Sequence, residues 1–329
     1  MIIRSTLIAF AILSSTPAMA KISSSGGISG ELSLSAGFTA SESNFNTDNS
    51  ATITDNTQKG ESDSKFIPVL LGNVAYTFGQ GLDKQIYMGT SREDIAIGTL
   101  ALELGFKQQL ANGTVIDASF LPTIMSGETW DDPFEVGSAR GVTDEEGNAY
   151  RLRFANIGNS GFTLDTAYAV KEIDNEKSGH QAYSSSTSER DLLRRDATSI
   201  YTKGSFRFPI SRGTFLAPSV TYIKNDADGD ALSNTSWKGE LSVFTSFDRH
   251  QLVLTAGYTG RSYDASHPVY DVVRDDDELS LFAAYEYKGL MGWDNWSLIS
   301  FAGYGQTDSN IDFYDEKSMI FSVGVNCQF

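Results

Sequence analysis

Arg151, Arg153, Lys203, Arg207 and Lys238 fall on the polar side of segments whose side chains alternate apolar and polar, and so do Glu103, Asp117, Asp165 and Glu240. Bases facing carboxylates inside a closed wall create a transverse field that sorts solutes by charge and dipole. This chemistry makes Arg151, Arg153, Lys203, Arg207, Lys238, Glu103, Asp117 and Asp165 candidate pore-lining residues. The same ions can also pair across strands and simply fill a closed interior.

Other chemistry is thinly represented. The run Asp226-Ala-Asp228-Gly-Asp230 has the alternating carboxylates that a hard cation favours. It departs from a calcium-binding loop because Ala231 follows where Gly is needed and Trp237 stands where the closing Glu belongs. A solvated acidic loop is the better reading, and no metal or other cofactor is expected. Asp275-Asp276-Asp277 and Asp144-Glu145-Glu146 read as similar solvated rims. Hydrolysis needs a base beside a nucleophile or an activated water. The three histidines, His180, His250 and His267, sit in separate connections, so no enzyme is expected.

The elements that must position these residues are strands. Period-two alternation recurs along the chain and helical periodicity hardly at all. Over 30–40, Leu32, Leu34, Ala36 and Phe38 take one face, while Glu31, Ser33, Ser35 and Thr39 take the other. Over 316–329, Met319, Phe321, Val323, Val325, Cys327 and Phe329 oppose Ser322, Gly324, Asn326 and Gln328. The alternation predicts fourteen strands, or twelve if the weak one over 84–90 fails together with a neighbour. Short connections such as 111–113 alternate with long polar ones, chiefly 41–66, 127–148, 173–196, 225–235, 262–277 and 307–315. Short turns at one end and long loops at the other are the pattern of a closed antiparallel transmembrane β-barrel.

Aromatic placement favours that barrel over a secreted sandwich. Tyr76, Phe78, Phe106, Phe162, Phe206, Phe208, Phe247, Tyr285, Tyr287, Trp296 and Phe329 cluster toward the short turns on the apolar face. Phe38, Tyr150, Tyr168, Tyr222, Trp237, Tyr258 and Tyr304 cluster toward the long loops. Two such girdles match the two interfaces of a bilayer. The polar faces then line the interior.

The first twenty residues combine Arg4, a short apolar run and Ala18-Met19-Ala20, which together predict a cleavable signal peptide over 1–20 and a barrel over 21–329. The single cysteine, Cys327, allows no intrachain disulfide. The net charge of −17 argues against nucleic acid. The long loops, with the short one over 91–94, hold 30 acidic and 9 basic residues. The rest of the mature chain holds 12 acidic and 15 basic, a slightly basic body under an acidic rim.

The terminal Phe329 on an alternating strand resembles the signal read by the barrel-assembly machinery of Gram-negative bacteria. The stretches GTSREDIAIGTLALELGF (89–106) and LPTIMSGETWDDPF (121–134) resemble an uncharacterised gamma-proteobacterial outer-membrane barrel family. That resemblance implies a porin-like barrel in the outer membrane, in contact with lipid and lipopolysaccharide, and implies no established activity. The expected function is passive diffusion of small hydrophilic solutes. A closed barrel acting as receptor, adhesin or structural protein is the alternative, and an outer-membrane hydrolase stands further off.

Overall fold

The computed structural model describes residues 22–48, 51–90, 102–122 and 127–329. The expected signal peptide lies outside the described residues. The first strands are β1 (Gly27–Glu42), β2 (Ser62–Phe78), β3 (Lys84–Thr90), β4 (Leu102–Gln109), β5 (Val115–Pro122), β6 (Gly127–Trp130) and β7 (Val142–Ala155). They are followed by β8 (Phe162–Ile173), β9 (Ala197–Phe206), β10 (Phe208–Ser211), β11 (Thr214–Ala227) and β12 (Asn234–Phe247). The last four are β13 (His250–His267), β14 (Val272–Lys288), β15 (Trp296–Ser309) and β16 (Glu316–Gln328).

These segments make fourteen staves. Both β5 and β6 pair with β7, the second beyond the first, and both β9 and β10 pair with β11. Arg207 interrupts the latter stave, and its amide bonds the Gly161 carbonyl at 3.1 Å. Every stave pairs antiparallel with the next in sequence, and β1 pairs with β16 from Glu31↔Gln328 to Glu42↔Lys317. The sheet therefore closes and leaves no unpaired edge, as a lipid environment demands.

The register fixes the barrel's geometry. The row that begins at Phe78 passes through Lys84, Gln108, Ile116, Phe154, Leu164, Gly204 and Val220. It continues through Gly239, Tyr258, Leu279, Gln306, Lys317 and Glu42, and returns to β2 at Ser62. One circuit thus climbs sixteen residues along β2, the difference between 78 and 62. That stagger over fourteen staves tilts the strands by about 40°, within the range of membrane barrels.

The outside is apolar. Leu32, Leu34, Leu70, Leu104, Val220, Leu241, Leu254, Leu281 and Phe321 are all exposed, far more contiguous apolar surface than a water-soluble monomer leaves uncovered. Tyr76, Phe106, Phe162, Phe208, Phe247, Trp296 and Phe329 ring the turn end. Tyr150, Tyr168, Trp237, Tyr258 and Tyr304 ring the loop end, so the two girdles stand where alternation places them.

The seam between the first and last staves is tight. Gly30 and Phe329 exchange two backbone hydrogen bonds of 2.9 Å, and a Cβ on Gly30 would lie 2.5 Å from the Asn73 carbonyl oxygen. Replacing Gly30 with Val is therefore expected to part β1 from its neighbours. The unheated protein should then migrate as an unfolded chain on a gel where wild type keeps its folded mobility.

Several strands run further than alternation indicates. The 262–277 connection is mostly the outer ends of β13 and β14, and 127–148 contains β6 and the outer half of β7. Cross-strand pairing extends these staves well beyond their apolar bands, where no lipid-facing pattern marks them.

Candidate functional site

Inside the wall, polar and charged residues of β3 to β12 form a ladder of two contact groups, adjacent in the register at Asp165↔Lys203. The Tyr87 hydroxyl lies 2.7 Å from Asp117 Oδ1 and 3.1 Å from Glu103 Oε2. Arg151 donates from Nε to both oxygens of Asp165 at 3.0 and 3.1 Å, and its Nη1 lies 3.6 Å from Glu103. Lys107 stands 3.6 Å from Asp117. Further round, Lys203 and Lys238 both reach Glu240 at 2.9 Å. Arg153 lies between Asp117 and Asp165 in the register. The Arg207 guanidinium lies 3.8 Å from the ring centre of Phe215.

The two signs are not equally presented. The carboxylates of Glu103, Asp165, Glu240 and Asp117 keep 4–10% of their side-chain surface. Lys107, Arg151, Lys203 and Lys238 keep 15–31%. On this arc the carboxylates are therefore more deeply buried than the cations paired with them.

The arc from β11 to β15 corrects the expectation of a uniformly polar interior. Phe215, Phe244, Val253, Phe282, Ile299 and Phe301 share the inward face with Ser242, Thr255 and Ser322, which are buried. Phe215 and Phe244 stack with centroids 4.4 Å apart, and Phe282 and Phe301 are 6.2 Å apart. Strict alternation hid these rings because β11 to β15 carry apolar residues on both faces, as in Val243-Phe244 and Leu281-Phe282. Below this strip the inner wall includes hydroxyls, amides and the carboxylates of Glu31 and Glu286, with Ser33 donating to Asn326 (2.6 Å), Asn326 to Glu31 (3.2 Å) and Ser297 to Glu286 (2.7 Å).

The long loops build a second core over the mouth. Phe134, Leu193, Ile311, Phe313 and Tyr314 are buried together, with Phe45, Ile53, Tyr183, Val269 and Tyr270 packed against them. The β6–β7 corner and the β15–β16 corner stand six staves apart one way and eight the other. Yet the rings of Phe134 and Phe313 are 5.5 Å apart, so the loops meet across the opening. Polar ties fix them there. Asn44 donates to the carbonyls of Gln58 and Phe313 at 2.8 and 2.9 Å, and Trp130 donates to Asn44 at 2.9 Å. Arg140 lies over the Trp130 ring and donates to the carbonyls of Asn44 and Pro133. Burial pulls the Arg140 guanidinium down to about 10, against the pull of Asp132, so it stays charged at neutral pH.

His267 belongs to this core and is fully buried. Its Nδ1 accepts from the Val269 amide at 3.3 Å, which leaves Nε2–H to donate to the Tyr314 hydroxyl at 2.8 Å. Arg274 stacks on Tyr314 at 3.5 Å and pairs with Asp276 at 2.8 Å. Asp276 also takes Arg261 at 3.2 Å and is buried, so the 275–277 run is not wholly a solvated rim. The 228–231 loop is docked as well, with the Gly229 and Ala231 amides bonded to the carbonyls of Arg194 and Leu192. His250 bonds Tyr285 at the turn end, and His180 lines a surface cavity of about 490 Å³ with Asp131, Asp132 and Lys177. Among the described residues, no three of His, Cys, Asp and Glu gather as metal ligands.

A closed, tilted, antiparallel wall with an apolar exterior, two aromatic girdles and a charged interior defines an outer-membrane β-barrel of the porin-like type. The sequence profile of a family described as "protein of unknown function (DUF2860)" matches residues 27–328, and the chain belongs to that family. No curated protein matches it. Among solved structures it resembles the DcaP outer membrane channel of Acinetobacter baumannii, with TM-score 0.45 and 9% identity over 92% of this chain and 98% of that one. It also resembles a loop-deleted OmpT, an outer membrane protein of Vibrio cholerae, with TM-score 0.43 and 11% identity over 93% and 100%. An anion-selective porin from Comamonas acidovorans gives TM-score 0.40 and 10% identity over 93% and 99%.

Proposed function

We propose that this chain is an outer-membrane channel for small hydrophilic solutes, with its turn end in the periplasm and its loop end outside the cell. The observation that carries this reading is the inner ladder, in which the cations keep more of their surface accessible than the carboxylates paired with them. An interior evolved only to be filled has no need to keep charged tips accessible, and fourteen staves are more than side chains readily fill. A cavity of about 440 Å³, lined in part by Ser41, Ser43, Glu278, Glu316 and Lys317, lies at the loop end of the inner wall and offers room for a solute there.

The test is single-channel conductance of the refolded protein in a planar bilayer. Stable steps of reproducible size support the channel, and a folded but silent barrel sinks it. Replacing Arg151 and Arg153 with Ala is expected to shift selectivity toward cations. A unit charge about 7 Å from an ion in water changes its energy by about 0.6 kcal/mol, so each arginine is worth roughly threefold in the permeability of each ion, in opposite senses for anion and cation. An unchanged reversal potential removes both residues from the permeation path.

One observation favours a second reading. The loop core spans the mouth, as a closed barrel that presents a rigid recognition surface would require. A silent barrel whose loops bind a cell-surface ligand supports this receptor reading.

A further inference from the structure

Arg151 of the ladder and Phe301 of the strip face each other across the inner wall at one height. From Arg151 on β7 the register runs through Ala167, Tyr201, Ile223, Ser236, Arg261 and Asp276 to Ser309 on β15. That is seven staves, half the circuit, over which the row climbs half the stagger, or eight residues. The residue level with Arg151 on the opposite wall is therefore eight positions below Ser309, which is Phe301. Phe301 faces inward, because its partner Ser322 is a buried inward residue and its neighbours Ser300 and Ala302 face out.

The aromatic strip is not sealed. Phe244, Phe282 and Phe301 each keep part of their surface accessible, while Phe215, Val253 and Ile299 behind and between them are buried. Rings left open to a lumen cost free energy unless something apolar covers them. Another inner-wall cation, Arg207, lies against the strip at Phe215. One wall offers a flat apolar surface and the other a row of accessible cations.

We propose that the lumen binds aromatic carboxylates, with the ring on the strip of Phe244, Phe282 and Phe301 and the carboxylate directed to the ladder at Arg151 and Lys203. This deepens the channel reading and rests on it only for how such a solute arrives. A hydrophilic uncharged solute gains nothing from the rings, and an inorganic anion uses only the ladder. An anion with a flat apolar body uses both, and its carboxylate accepts charge-assisted hydrogen bonds from Arg151.

The experiment is equilibrium binding to the full chain refolded in detergent, which does not depend on conduction. Three probes are compared: 2-naphthoate, its uncharged alcohol 2-naphthylmethanol, and hexanoate, which has the charge without the ring. Naphthoate is expected to bind about tenfold more tightly than either control. The double variant F282L/F301L should weaken naphthoate about tenfold and leave hexanoate unchanged. Arg151→Gln should weaken naphthoate and leave the alcohol unchanged; Lys203→Gln serves if the first variant does not fold. Naphthoate binding no better than both controls, or indifferent to both kinds of variant, overturns the proposal. A silent bilayer with intact naphthoate binding refutes the channel and keeps the site. A conducting barrel without naphthoate preference does the reverse.

Discussion

Replacing Phe313 with Ala is expected to open the cover over the mouth while the barrel stays folded. Phe313 is fully buried, and its ring lies within 6 Å of the rings of Phe45, Phe134, Tyr270 and Tyr314. These five rings come from four loops, so no single neighbour can collapse into the hole. Truncating a buried Phe costs about 3–5 kcal/mol, and little of that falls on the staves, whose stability comes from their ladders. Loop cleavage by an added protease should accelerate by about a hundredfold, the equivalent of roughly 3 kcal/mol. The far-ultraviolet strand signal and the melting of the barrel should not change. Equal cleavage rates would mean that the loops are held by their polar ties alone, and loss of the barrel would mean that cover and wall are one unit.

Acid is expected to loosen the same cover. His267 is held neutral, since both ring nitrogens are engaged in the neutral form and a proton on Nδ1 would face the Val269 amide. Burial pulls its pKa down to about 3, and the nearby Arg274 pushes the same way. In the opened cover the imidazole returns to its ordinary value near 6.5. The closed state therefore binds fewer protons between those values, and its stability falls as the pH drops from about 6.5 toward 3. Below about 3 both states are protonated and the loss levels off. Closure weakens about tenfold per pH unit across that window, on the order of 5 kcal/mol in all. The facing groups are Arg274, the Tyr270 and Tyr314 hydroxyls, and Asp276 behind Arg274. Burial raises both tyrosines, so neither ionises in this range. Amide hydrogen exchange in the loops at pH 7.5 and 4.5 measures the effect. His267→Phe should flatten it, and a wild-type profile that is already flat refutes the mechanism.

How much of this was legible beforehand differs from element to element. Closure and the girdles follow from Leu32-Ser33-Leu34-Ser35 and its counterparts, because a strict two-residue period leaves one way to place each side chain. The ladder followed for the same reason, since Arg151, Arg153, Lys203 and Lys238 occupy unambiguous polar positions. The strip of Phe282 and Phe301 did not. In a segment apolar on both faces, periodicity carries no information about which ring turns inward, and only the partner across the ladder decides. The 262–277 and 127–148 segments looked like loops because staves that project beyond a bilayer need no lipid-facing stripe. The loop core was hidden most deeply. Phe45, Phe134, Leu193 and Phe313 are isolated apolar residues in polar surroundings, and nothing local joins them. One available clue was that Phe313-Tyr314 and Trp130 through Phe134 put large rings beyond the girdles, where no membrane requires them.

The cover's composition also dictates when it can form. Asn44 reaches the Phe313 carbonyl over 269 positions of chain, and Trp130 reaches Asn44 over 86. Contacts between such distant segments cost loop-closure entropy that only prior ordering of the intervening chain removes. Each of the loops is tethered at both ends to adjacent staves, so joining β1 to β16 brings all of them over one opening at once. The cover is thus expected to order after the wall has closed. A barrel caught before closure would carry five unprotected loops, and protection of Phe313 would report that the wall is complete.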